Sequence, residues 1–265
     1  MKTRYPREFL FSMLSLLAAV IVVHAFYVTL VRPNATAVQA AQAEAMRSDP
    51  DYVPQRSLWV IIKDYEQESC LILMLWAVSM IGYKGRTAAG ERAALDADPV
   101  QVPEGMRILP EDTREYVRQL ESLAAPQQQC LAVRAAKAAL ARFGATRNIQ
   151  NVSEAGHAVC QAEAERLDSE LSMIRYIAWA IPAIGFIGTV RGIGDALGAA
   201  HKAVTGDIAG VTEGLGIAFN STLIALLLSL LLMFLLHNLQ LAQERLVLDA
   251  ETWLDQKLLR HLQVR

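Results

Sequence analysis

Apolar residues in this chain are gathered into blocks separated by polar stretches. Phe9 to Val31 is a 23-residue run whose only titratable group is His24, and Gly214 to Leu236 is 23 residues with no charge. At about 1.5 Å of rise per helical residue, each is long enough to cross a ~30 Å hydrocarbon core. Ile177 to Val190 is also apolar but is followed by Arg191 and Asp195, so it spans only if these lie in or near the membrane. Cys70 to Tyr83 is uncharged for 14 residues, a length more typical of a buried or re-entrant helix. It reaches a full span only if Leu58-Trp59-Val60-Ile61-Ile62 extends it past Lys63, Asp64, Glu66 and Glu68, placed at the interface. The pattern predicts an all-α polytopic membrane protein with about four transmembrane helices, over 1–31, 58–83, 173–200 and 210–237.

The intervening segments divide by polarity. Residues 32–57 and 201–209 read as periplasmic loops, and 84–172 as a cytoplasmic helical region. Within the latter, 88–110 holds Pro99, Pro103 and Pro110 and reads as a connector. Helices are predicted over 111–125 and from Pro126 to Phe143, the proline in the favoured first turn. A third begins near Asn151 or Ser153, either of which could cap it, and meets no breaker before Pro182. That predicts one helix running from the polar region into the third span, coupling the two mechanically. In 238–265, Leu246, Ala250, Trp253, Leu254, Leu258 and Leu262 form one apolar stripe. It can pack within the chain, against neighbouring copies, or both. Lysine and arginine cluster before the first span (Lys2, Arg4, Arg7) and after the second (Lys84, Arg86, Arg92), whereas the loop between them is mixed. The positive-inside rule then favours both termini on the cytoplasmic side.

Composition narrows the function classes. Of 265 residues 53% are hydrophobic and 20% charged, against about 25% charged in a typical soluble domain. A net charge of −2 excludes a broadly basic nucleic-acid binder. The three cysteines, Cys70, Cys130 and Cys160, have neither CxxC nor metal-ligand spacing. No catalytic constellation, phosphate loop, metal site or cofactor site is legible, so the chain does not read as an enzyme. A cleaved leader is the rival reading of the first block; the apolar run continuing past Ala25 argues for a retained helix.

The chemistry concentrates between Ile181 and Gly198. Pro182 removes one backbone donor from a helix. Gly188 with Gly192, and Gly194 with Gly198, set up small-xxx-small faces that let helices approach closely in lipid. Arg191 within a span needs a partner or water, and Asp195, one turn on, is the local candidate; a gating or ion-selecting role is the other reading. Pro182, Gly185, Gly188, Thr189, Val190, Gly192 and Ile193 stand in the order of the channel-helix signature of the MotA/TolQ/ExbB proton-channel family, which the chain resembles over Ser172–Leu236. Ile208-Ala209, Glu213 and Leu215 resemble that family's following helix.

The resemblance implies a homopentamer around two copies of a smaller, single-span ExbD/TolR/MotB-like partner that supplies a proton-carrying Asp. The channel subunit would supply polar groups: Thr189 by match to the motif threonine, with Thr222, Ser221 and Asn220 on the next helix. The family's second hydroxyl falls at Ala218 here, and Thr222 lies one turn beyond it. Glu213, near the outer end of that helix, is a candidate cation collector or simply a solvated carboxylate. His24 reads as packing or a satisfied hydrogen bond rather than a proton relay, and His201 and His237 as interfacial. The function expected is the ion-conducting subunit of a proton-driven (or sodium-driven) motor; the alternative is a non-conducting membrane scaffold.

Overall fold

The computed structural model describes residues 7–49, 52–53, 55–99 and 107–264. Lys2, Arg4 and the centre of the expected 88–110 connector lie outside these. Among the described residues there is no strand, only an isolated parallel bridge between Ile108 and Leu262. The chain divides into two units, one built from Met1–Ile81 with Met173–Leu236, the other from Gly82–Ser172 with His237–Arg265.

The first unit starts with α1 (Arg7–Phe26), which passes through one π turn (Tyr27–Val31) into α2 (Arg32–Ser48). The wide turn sits where Pro33 takes a donor out of the helical ladder, and the Asn34 side chain donates to Leu30 O at 2.7 Å in the same stretch. Much of the segment expected as a loop, 32–57, is therefore helical. After a short α3 (Leu58–Ile61) the chain turns, and α4 (Tyr65–Asp96) starts afresh. The expected extension of the second span back to Leu58 is thus interrupted at Ile62–Asp64, while its other end runs into the expected connector. Completing this unit are α9 (Ser172–Ala203) and the first part of α10 (Ala209–Trp253). The residues 204–208 make the turn between them.

Among the described residues, three helical stretches are long and apolar enough to cross a membrane, Glu8–Ser48, Ile149–Ala203 and Ala209–His261. The 32-residue α4 has the length but not the hydropathy. Packing accounts for this. Trp76 Nε1 donates to Ser12 O of α1 at 3.0 Å, and Cys70 Sγ donates to Ile181 O of α9 at 3.6 Å. Cys70, Met74, Trp76, Ala77 and Met80 are all buried, so α4 meets other helices where α1 meets surroundings. A helix sheltered in this way does not need the continuous apolar surface that lipid demands.

The second unit holds α5 (Thr113–Ser122), α6 (Ala125–Gln128), α7 (Leu131–Thr146) and α8 (Ile149–Glu170). Its core joins the alanine-rich face of α7 (Ala132, Ala135, Ala136, Ala139) to Phe143, Val152 and Cys160. Val247, Ala250, Trp253, Leu254, Leu258 and Leu262 close it, so most of the C-terminal stripe packs within the chain. Local chemistry moved two boundaries. The cap of α8 is Asn148, whose side chain accepts from Gln150 N at 2.9 Å, not Asn151 or Ser153. The helix expected from Pro126 splits into α6 and α7. The predicted helix into the third span is one helical stretch from Ile149 to Ala203, with a single-residue irregularity at Leu171, whose backbone stays in the right-handed helical region.

Candidate functional site

The α9–α10 pair is an antiparallel zipper of small residues. A Cβ added to Gly185 would lie 2.4 Å from Ala225 Cβ, one on Gly188 2.4 Å from Ser221 Oγ, and one on Gly192 2.5 Å from both Ala218 N and Gly214 O. Gly214 in turn faces Ala196 N at 2.5 Å, and Gly210 faces Ala199 Cβ at 2.7 Å. Small residues recur along both helices at steps of three and four, so each backbone runs in the groove of the other. Gly194 and Gly198, expected to form a second such face, have open space where a Cβ would sit. They lie on the other side of α9.

Pro182 fits the same seam. Its ring nitrogen has no proton for the carbonyl of Ala178, four residues earlier. That carbonyl instead accepts from Ser229 Oγ of α10 at 3.1 Å. A backbone acceptor exposed by proline in an apolar environment is costly unless a neighbouring helix meets it, as here.

Between the glycines lie two hydroxyls. Thr189 Oγ1 and Thr222 Oγ1 are in direct hydrogen-bond contact. Thr189 Oγ1 also reaches Gly185 O at 3.3 Å and Ala218 O at 3.2 Å, and Thr222 Oγ1 reaches the same Gly185 O at 3.3 Å. Each hydroxyl has one proton, so either can donate to its neighbour while the other donates to a carbonyl. The polarity of the pair can therefore invert by rotating two O–H bonds, with the heavy atoms still. Ala218, where the family's second hydroxyl would fall, contributes its backbone carbonyl to this cluster.

The other two polar candidates on α10 do not join the pair. Ser221 is 1% exposed, and its hydroxyl turns back to Ile217 O at 2.7 Å and Ala218 O at 3.1 Å, filling the space opposite Gly188. Asn220 faces away from α9 into a cleft lined also by Lys63, Asp64 and Glu213. Three consecutive residues of a helix point 100° apart, so Asn220, Ser221 and Thr222 could not share one surface.

Arg191 finds a partner that its local sequence conceals. Its Nε and Nη2 donate to the two carboxylate oxygens of Glu66 at 2.6 and 2.8 Å, a bidentate pair. Asp195, the expected partner, is present at 3.7 Å, and Asp64 at 3.9 Å. The Glu66 side chain is 11% exposed and that of Asp195 55%, so Glu66 makes the stronger bond. Removing one member of a buried pair typically costs about 3–5 kcal/mol, while exposed pairs contribute about 0–1 kcal/mol. With Arg191 itself 39% exposed, Glu66→Ala is expected to cost toward the lower end of the first range and Asp195→Ala to fall in the second. Thermal unfolding of the detergent-solubilised variants checks this; equal losses would mean that the arginine is simply solvated.

Sequence reasoning missed Glu66, and with it a second carboxylate network. Glu68, 8% exposed in its side chain, accepts from Arg32 on one oxygen and pairs with His24 Nδ1 on the other at 2.7 Å. His24 is thus a satisfied hydrogen-bonding residue. Glu213 pairs with Lys63 at 3.4 Å. The available signal was the alternation of Asp64, Glu66 and Glu68 at the head of an apolar helix: acids there need partners when the helix is buried. Among the described residues no group of three or more His, Cys, Asp or Glu could hold a metal ion.

Comparison with curated proteins finds no match. Comparison with family models does: residues 127–252 match the MotA/TolQ/ExbB proton channel family. That segment contains the whole α9–α10 zipper and reaches beyond the Ser172–Leu236 stretch on both sides. With its apolar helices and its Pro-Gly-Gly-Thr-Gly seam, this chain is a membrane protein whose residues 127–252 are similar to the MotA/TolQ/ExbB proton channel family.

Proposed function

We propose that the chain is the ring-forming, ion-conducting subunit of a proton-driven membrane motor, in which Thr189 and Thr222 line the path. The observation that carries this reading is the pair of contacting hydroxyls midway along two close-packed apolar helices. A protonatable carboxylate in mid-membrane is stable only beside polar groups and water. The two hydroxyls with the Gly185 and Ala218 carbonyls offer such a neighbour, and their reversible polarity suits a group that alternates between proton donor and acceptor. This chain has no clean charge-free span with one central Asp, so the carboxylate is assigned to a smaller single-span partner.

Five copies around two partner helices is the assembly proposed, in a bacterial inner membrane with both termini cytoplasmic and α4 serving as the fourth span. In its favour, α9 exposes Trp179, Phe186, Ile187, Val190 and Leu197, and α10 exposes Phe219, Leu226, Leu227, Leu230 and Phe234. Such a continuous apolar surface belongs against lipid or further helices. Native mass spectrometry of the detergent-extracted complex, with and without the product of the neighbouring gene, tests the proposal, together with whether that product is a single-span protein with an Asp in its span. Five copies that gain two copies of the small protein are expected. A monomer or dimer after gentle extraction would leave the glycine seam as helix packing within a non-conducting scaffold.

A further inference from the structure

The second unit carries a cleft of about 730 Å³ between the start of α5 and the end of α7, a size that suits a small ligand. The two helices meet closely along it: a Cβ on Gly144 would lie 2.9 Å from Thr113 Oγ1. Three arginines line the cleft, Arg114 and Arg118 from α5 and Arg147 from the turn that follows α7. Glu111 is the one acid among the lining residues.

None of these arginines pairs with a carboxylate of a described residue, Glu111 included. Elsewhere in the unit Arg92 holds Asp249, Arg134 holds Glu163 at 3.0 Å, and Arg166 holds Glu170 at 3.1 Å. Arg114 and Arg118 stand one turn apart on the same face of α5, where like charges repel and disfavour the helix. Arg147 has the more unusual position. Among the described residues two non-glycines have a left-handed backbone, Asp98 and Arg147. The Asp98 carboxylate is anchored by Trp253 Nε1 at 2.8 Å and Lys257 Nζ at 2.7 Å. Arg147, at φ 53° and ψ 27°, has no such anchor for its side chain and sits where helices commonly end on glycine. A left-handed backbone is unfavourable for a residue with a Cβ, and strain of this kind concentrates where a side chain has a ligand to hold.

We infer that this cleft binds a multiply charged, phosphate-bearing anion through Arg114, Arg118 and Arg147. A guanidinium presents paired N–H donors that match two phosphate oxygens, and several around one concavity suit an anion with more than one charge. The remaining lining is largely aliphatic, with Val117, Leu140, Ala141 and Ala145 and no aromatic ring on which a base could stack. Recognition therefore falls on the phosphate itself. A free phosphate compound and an anionic lipid headgroup share that chemistry. The inference goes beyond the conducting role and does not depend on it, since none of these residues belongs to the α9–α10 seam.

Two measurements on the full chain in maltoside detergent test the site and distinguish the two sources. One is calorimetric titration with inorganic pyrophosphate; the other is native mass spectrometry after adding phosphatidylglycerol or phosphatidylcholine. Saturable pyrophosphate binding identifies a free phosphate ligand, and selective retention of phosphatidylglycerol without it identifies a headgroup. Whichever binds, Arg147→Gln is expected to weaken it about tenfold, the loss of one charge-assisted contact. The combined Arg114→Gln, Arg118→Gln and Arg147→Gln chain is expected to lose it. Arg142→Gln, at an exposed arginine outside the lining, should leave binding unchanged. Arg147→Gly separates binding from folding: it relieves the left-handed backbone, so this variant should melt higher while binding as weakly as Arg147→Gln. A lower melting temperature would mean that Arg147 serves the fold instead. Equal losses in Arg142→Gln and Arg147→Gln would overturn the site in favour of diffuse surface charge. No response to either ligand would also overturn it, leaving the cleft to an acidic protein segment.

Discussion

Thr189→Val is expected to reduce ion-driven activity to the background level while the complex still assembles. Valine has the same shape as threonine, so the zipper around Gly185, Gly188 and Gly192 loses no volume and gains none. What disappears is the hydroxyl that touches Thr222 Oγ1 and reaches the carbonyls of Gly185 and Ala218. Interhelical hydrogen bonds within membranes contribute about 0.6 kcal/mol on average and ~1.7 kcal/mol at most, too little to dissolve a packed helix pair. The functional loss is larger because a hydroxyl network works as a unit. Without Thr189, the Thr222 hydroxyl can donate only to Gly185 O, and the polarity of the pair is fixed. Proton flux into liposomes reconstituted with the chain and its partner is the readout, with native mass spectrometry as the assembly control. Thr222→Val should give the same phenotype, and Thr189→Ser should restore flux by returning the hydroxyl. Normal flux in Thr189→Val would remove this residue from the pathway.

The second large effect is structural. Gly192→Ala is expected to destabilise the α9–α10 pair more than Gly188→Ala, Gly194→Ala or Gly198→Ala. Its new Cβ meets backbone on both sides, Ala218 N and Gly214 O at 2.5 Å each, and backbone in mid-helix cannot rotate aside. Overpacking of a close-packed core costs about 1–3 kcal/mol, and contacts of this kind belong at the upper end. At Gly188 the obstacle is the Ser221 side chain, whose hydroxyl can change rotamer, so Gly188→Ala should cost less. Gly194→Ala and Gly198→Ala meet open space within the chain and should leave its stability unchanged. Unfolding of the four variants in detergent gives the ranking. If Gly192→Ala and Gly194→Ala melt together, the approach of the helices is not what the glycines provide.

The repeated glycines illustrate how sequence and structure divide the information. Spacing alone marks Gly188, Gly192, Gly194 and Gly198 equally, because all are three or four residues from another small residue. Which ones face α10 depends on the rotation of α9 about its axis, and that is fixed by everything packed against it. The same limit separates Asn220 from Thr222. Both are polar residues in one apolar helix, yet a 100° step per residue sends one to a cleft and the other to the zipper.

What the sequence determined by itself was whatever follows from local composition and order. Apolar runs longer than a bilayer is thick require helices, so the all-α membrane class was legible. The ordered string from Pro182 to Ile193 was legible as a family signature because a motif is a property of sequence. The C-terminal stripe from Leu246 to Leu262 was legible as a buried face from its helical period. Tertiary structure alone decided the pairings between residues distant in the chain. Glu66 holds Arg191 across 125 positions, and Glu68 holds His24 across 44. Ser229 meets the carbonyl that Pro182 leaves exposed. A charged or unpaired group in an apolar setting announces that it must have a partner, since the cost of having none is several kcal/mol. It does not announce which residue that partner is, because any acid or hydroxyl that the fold brings within 3 Å satisfies the same demand.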